Sequence, residues 1–185
     1  MFERTLTAAG LMALLASPAL ATDLQIQVSG QANGTITIHL LDNLAPQAVA
    51  RMVELAKEGA YDGVVFHRVI DGFMAQTGDV EFGKVGGDLS KAGMGGSTLP
   101  DLPAEFSDHR FTRGTVGMAR AQDPNSANSQ FFIMFADGDF LDGKYTVVGE
   151  VTSGMDVVDQ IKRGQGQSGA VATPQDVMTK VTVVE

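Results

Sequence analysis

The chain contains no cysteine, which excludes disulfides, thiolate metal sites and cysteine nucleophiles. It has three histidines, too few without cysteine to build a ligand cluster, so no metal and no cofactor is expected. Glycines crowd residues 83–96, but no Gly-Lys-Ser/Thr follows them, which argues against a phosphate-cradling loop. Positive charge is scarce: 13 Lys and Arg stand against 22 Asp and Glu, a net charge of −9. Such a chain is a poor nucleic-acid binder, and it has no polybasic stretch for anionic lipid. No internal repeat and no second domain boundary is visible.

What is present suits one soluble globular domain, with 44% hydrophobic residues in 185. The first residues stand apart. Glu3-Arg4 precedes a short apolar run from Leu6 to Leu15, then Ser17-Pro18 and Ala19-Leu20-Ala21. A charged start, a short apolar stretch and an A-x-A site make the pattern of a secretory signal peptide. The run is too short for a membrane span, which needs about 20 apolar residues. Residues 1–21 are therefore expected to direct export to the periplasm and to be cleaved, leaving 22–185 as the domain, with no stable membrane insertion.

Within that domain Leu24 to Val28 and Thr35 to Leu40 alternate, predicting a first hairpin across Gly30–Gly34. His39 falls on the polar face of its strand. Pro46, followed by Val49, Met52, Val53 and Ala56 at helical spacing and stopped by Gly59, predicts an amphipathic helix. The glycine-rich run reads as a long ordered loop. Strands are expected at Gly114–Ala119, Gln130–Phe135, Tyr145–Val151 and Val177–Val184. A short helix capped by Ser153 turns Val157, Val158 and Ile161 inward. Many short strands, two helices and no βαβ alternation predict a mainly β protein with an antiparallel sheet closed on itself.

The organising stretch is Phe66 to Asp79, FHRVIDGFMAQTGD. Val64 to Ile70, the Asp71-Gly72 pair and Phe73 to Gln76 predict a tight hairpin. Period-two alternation puts Phe66, Arg68 and Ile70 on one face and His67, read as structural, on the other. An arginine in that company either lays its stem over a sheet edge or is held in an apolar cleft.

This stretch, together with GTVGMARAQDPNSANSQFFI and FLDGKYTVVGEV, resembles the cyclophilin family of peptidyl-prolyl cis-trans isomerases, most closely its small exported bacterial members. The resemblance covers essentially residues 22–185 with the motifs in family order. It implies a closed antiparallel barrel of about eight strands with a helix over each open end. It makes Arg68 the catalytic residue, and Phe73, Met74, Phe132 and Leu141 the wall that receives a proline ring. Gln76 and Gln130 become groups that position the substrate backbone, and Ala119 and Arg120 a segment whose main chain bonds it. The family usually has Asn at the second of these, so Arg120 is expected to use its backbone. Phe140 and Tyr145 stand where many members carry Trp and His, keeping an aromatic rim. Substrates are proline-containing unfolded or extended polypeptides, and a monomer acting alone is implied.

The chemistry is plausible from the residues upward. Rotation about an X–Pro amide is opposed by roughly 18–20 kcal/mol, because the nitrogen lone pair is shared with the carbonyl. Twisting turns that nitrogen into a hydrogen-bond acceptor, which a guanidinium can meet. No nucleophile or metal is needed. The alternative of another class is a proline-peptide clamp or periplasmic holdase without turnover, against which the intact Arg68 speaks.

Overall fold

The computed structural model describes residues 22–185; the predicted signal segment lies outside the described residues. The elements run β1 (Asp23–Ser29), β2 (Gly34–Leu40), α1 (Pro46–Lys57), β3 (Val64–Val65), β4 (Arg68–Ile70) and β5 (Met74–Thr77). They continue with β6 (Thr115–Met118), β7 (Phe131–Met134), β8 (Val147–Ser153), α2 (Met155–Gln160) and β9 (Val177–Val184). All pairings are antiparallel, in one nine-stranded sheet of order β3-β9-β1-β2-β8-β6-β7-β5-β4.

That order differs in two respects from the expected closed barrel of about eight strands. The single strand expected from Val64 to Ile70 is split at Phe66-His67 into β3 and β4, which become the two edges of the sheet. Since only two residues separate them, the sheet must curl until its edges approach, but no ladder joins β3 to β4. The result is a half-barrel. Each edge is covered by a loop, as exposed strand edges require. Val65 N–H donates to Gly83 O and Val85 N–H to Gly63 O on one side. On the other, Val69 N–H donates to Gly169 O and Val171 N–H to His67 O.

The two faces of the sheet carry different cores. Leu24, Ile26, Ile36, Ile38, Val69, Ala75, Val116, Phe131 and Ile133 point inward, where α1 adds Val49, Met52 and Leu55 and α2 adds Val157 and Val158. On the opposite face of β5, β6 and β7, Met74, Phe132 and Met134 form a second cluster with Phe111, Leu141 and Val147. Phe131 and Phe132 thus point to opposite sides, as alternation predicts. Phe66 belongs to the main core and does not share a face with Arg68, because the chain leaves strand geometry at residues 66–67.

Helix α1 begins at Pro46 with no side-chain cap of its own. Its free N–H groups at Gln47 and Ala48 donate instead to the two carboxylate oxygens of Glu105, at 3.1 and 2.9 Å. Helix α2 is capped at Gly154, not at Ser153, which still belongs to β8. Gly154 takes φ of +88°, and a Cβ there would run into Thr35 O, so only glycine turns β8 into α2. Strand β8 also starts later than expected, so Tyr145 precedes it and is free to lean over the second cluster.

Candidate active site

The site is written across the sheet by register. Arg68 on β4 stands opposite Gln76 on β5, Gln76 opposite Phe132 on β7, and Phe132 opposite Gly117 on β6. Residues directly opposite in antiparallel strands share a face, so Arg68, Gln76 and Phe132 form one row. Ile70, Met74 and Met134 form the next. Gly117 ends the first row for a steric reason: a Cβ would lie 2.6 Å from Phe111 and 2.7 Å from Phe132. The missing side chain lets those two rings stack, with centroids 5.8 Å apart.

Over these rows lies a cleft of about 410 Å³. Arg68, Phe73, Met74, Gln76, Ala119, Arg120, Phe132, Phe140, Leu141 and Tyr145 line it, so every residue singled out from the sequence for this site except Gln130 converges there. Gln130 lines an adjoining cleft of about 210 Å³, with which the first shares Gln76, Ala119 and Arg120. The floor is apolar and buried at Met74, Phe132 and Leu141. Phe140, 61% exposed, leans on Phe73 at 5.4 Å and forms the outer lip. Tyr145 meets Phe132 edge-on at 6.0 Å.

Arg68 is held by a relay of amides. Its Nε donates to Ser168 O at 3.0 Å, and its Nη1 donates to Gln76 Oε1 at 3.1 Å while lying 4.0 Å from Met74 Sδ. Gln76 Nε2 donates to Gln130 Oε1 at 2.9 Å, and Gln130 Nε2 donates to Gly93 O and Gly95 O at 3.0 and 2.8 Å. Among the described residues nothing accepts from Nη2, which leaves one fork of the guanidinium for a bound group. Gln130 is fully committed inside the protein and acts here by holding Gln76.

Arg68 stands on the edge strand β4, yet its guanidinium is tied to Ser168 O and Gln76 and lines the cleft. The sequence profile of the cyclophilin type peptidyl-prolyl cis-trans isomerase/CLD family matches residues 24–183. A probable peptidyl-prolyl cis-trans isomerase of Brucella suis biovar 1 (strain 1330) is 60% identical over 154 residues, covering 82% of this chain and 78% of that one. Peptidyl-prolyl cis-trans isomerase B of Escherichia coli (strain K12) is 39% identical over 163 residues, covering 83% and 92%. The fold matches a Hirschia baltica cyclophilin structure with a TM-score of 0.70 at 24% identity, over 86% of this chain and 73% of that one. A Cryptosporidium parvum cyclophilin matches with 0.76 at 22%, over 90% and 99%.

The chain belongs to the cyclophilin-type peptidyl-prolyl cis-trans isomerases.

In this cyclophilin the side chain of Arg120 is not idle. Its guanidinium lies 4.3 Å from the centroid of the Tyr145 ring. Nη1 donates to Ala121 O and Gln122 O at 2.8 and 3.3 Å, and Nη2 to Lys144 O at 2.9 Å. No motif points to Phe111, which stacks on Phe132, or to Ser168, whose carbonyl fixes Arg68. Nor does any pattern mark the role of Asp79. Fully buried, its carboxylate accepts from Glu81 N and Phe82 N, and from Gly93 N and Gly95 N. Buried acids are kept where they satisfy such donors, and Asp79 ends the stretch Phe66–Asp79 for that reason. Among the described residues of this cyclophilin no three His, Asp or Glu groups converge as a metal site. His67 is buried, lines neither cleft, and its two ring nitrogens make no hydrogen bond. Burial pushes its pKa below the usual histidine value, and Asp79 opposes that shift.

Proposed function

We propose that Arg68 is the group through which this isomerase accelerates X–Pro rotation, and that it serves exported proteins during folding. The apolar floor of Met74, Phe132 and Leu141 receives the proline ring and keeps water away. Arg68 stands beside it with Nη2 free. As the amide twists, the proline nitrogen gains acceptor character, and Nη2 donates to it. That hydrogen bond exists only in the twisted state, so it lowers the barrier without tightening either planar form. Gln76 and Gln130 keep the guanidinium from swinging, so little reorganisation is required when the bond twists. Phe73, Phe140 and Tyr145 frame the mouth, and the Ala119–Arg120 main chain guides the substrate backbone. A cyclophilin of Cryptosporidium parvum has been solved in the presence of the dipeptide Ala-Pro.

The observation that carries this reading is the unpaired Nη2 of a tethered arginine above an apolar floor. Arg68→Ala is expected to lower kcat/KM for a short proline peptide roughly 100- to 1000-fold with an unchanged circular dichroism spectrum. Arg68→Lys is expected to remain poor, since a single mobile ammonium cannot hold Ser168 O and Gln76 while presenting a further donor. A folded, fully active Arg68→Ala protein would overturn the mechanism.

The export reading rests on residues 1–21. A charged start, a short apolar run and Ala19-Leu20-Ala21 support cleavage after Ala21 and delivery to the periplasm. Action as a monomer is part of the same proposal.

A further inference from the structure

Six arginines lie among the described residues, and four of them meet a carboxylate: Arg51 with Glu54, Arg110 with Asp139 and Asp142, Arg113 with Asp159, and Arg163 with Asp71. Arg68 and Arg120 do not. Both line the proline cleft of a chain whose net charge is −9, so the two arginines left without counter-charge stand together where the substrate binds. Lys144, at the same rim, also spends its ammonium on a carbonyl, that of Phe140 at 3.1 Å.

Arg120 stands in the wall common to both clefts. An extended chain advances about 3.3 Å per residue, so a residue next to a seated proline, or one further along, enters the smaller cleft. That cleft is polar on its far side, with Ser126, Asn128 and Gln130, and Arg120 is its one charged residue. The guanidinium is already immobilised by the Tyr145 ring and by the carbonyls of Ala121, Gln122 and Lys144. Its Nε is buried and has no partner. Carbonyl dipoles fix its orientation but do not cancel a full charge, and a group fixed beforehand loses little freedom when a ligand arrives.

We propose that Arg120 makes the enzyme selective for proline segments that carry an acidic side chain within two residues of the proline. The inference rests on the reading of the larger cleft as the proline site. A carboxylate entering the smaller cleft meets Arg120 and, beyond Gln76, Arg68, with no carboxylate of the protein competing for either. A lysine at the same place is repelled. The sign of the effect is diagnostic, because the −9 charge of the whole molecule acts the opposite way and would disfavour acidic peptides. Coulomb energy falls with distance, so the adjacent guanidinium outweighs charges dispersed over the rest of the surface.

The test uses blocked proline peptides carrying Glu, Gln or Lys at each position within two residues of the proline. Their exchange is followed by NMR, so that no protease preference enters. At low salt, one side of the proline is expected to show Glu over Lys by roughly three- to tenfold in kcat/KM, with Gln between. Arg120→Gln should bring the Glu/Lys ratio to one or below, Arg120→Lys should keep its sign, and 0.5 M NaCl should narrow it in the wild type. Equal rates for Glu and Lys at every position, or a preference unchanged in Arg120→Gln, would overturn the proposal. Should Arg120→Gln not fold, the salt titration of the wild type decides, and a salt-insensitive preference overturns it. A wild type inactive even on the Gln peptides would instead remove the underlying site assignment.

Discussion

At the scale of single residues, the site depends on groups that can bond in one sense only. Arginine has donors and no acceptor, so the oxygen of Gln76 must face Arg68. Its amide nitrogen must then meet the oxygen of Gln130, whose own nitrogen is left to find the carbonyls of Gly93 and Gly95. One arginine thus dictates the orientation of two amides. His67 lies beside this relay, packed against Gly93, where a Cβ would come within 2.9 Å of the ring. Asp79 draws the imidazole towards protonation, while burial and the nearby charge of Arg68 resist it more strongly, so the folded pKa is lowered. The sign follows directly. A lowered folded pKa means that the unfolded chain binds the proton first, so stability is fully present above the ordinary value of 6.5 and is lost as pH falls below it towards the folded pKa. Melting temperature is therefore expected to decline as pH falls below the ordinary histidine value of 6.5, and His67→Phe should flatten that decline. An unchanged slope in the variant would show that other groups set it.

At the scale of elements, the glycine-rich segment after β5 is where pattern reading and structure part most instructively. Its glycines gave no periodicity, and the order of the loop comes from Asp79, which lies upstream of it. That carboxylate gathers four backbone N–H groups, at Glu81, Phe82, Gly93 and Gly95. No local pattern could reveal such a hub, because its partners are spread along the chain and are main-chain atoms. For the same reason the caps of α1 and α2 were illegible: Glu105 reaches α1 from a distant loop, and Gly154 is chosen by Thr35. What was legible follows from local rules. The alternation of β1 and β2, the spacing of α1 and the β4–β5 hairpin all appear, and the cleft-lining residues are those the three motifs carry. Asp79→Asn is expected to cost about 2–4 kcal/mol, since an amide offers one acceptor and turns donors towards donors. It should also lower activity, because Gly93 O and Gly95 O anchor Gln130. Glu105→Ala should cost about 1 kcal/mol through the α1 cap and leave activity intact. Paired melting curves and peptide assays check this, and equal activity losses in the two variants would deny Asp79 its link to the site.

At the scale of the whole molecule, the question is where the folded unit begins. Thr22 is already part of it, because its carbonyl accepts from Leu40 N–H at 2.9 Å, and Asp23 opens β1 opposite both His39 and Val184. The Asp23 carboxylate meets His39 Nδ1 at 2.9 Å, which also explains why the polar-face histidine is only half exposed. A cut after Ala21 leaves the Thr22 carbonyl, the whole of β1 and its pairing with β2 and β9 in place. It also leaves the net charge at −9, since residues 1–21 hold one Glu and one Arg. A chain starting at Thr22 is expected to melt and turn over proline peptides like any longer form, whereas removal of Thr22 and Asp23 as well should lower the melting temperature by a few degrees. Mass spectrometry of the protein recovered from a periplasmic extract is expected to find Thr22 at the N-terminus. An uncleaved chain confined to the cytoplasm would overturn the export reading while leaving the isomerase assignment untouched, because the described residues that line the cleft all lie at or after the start of β4.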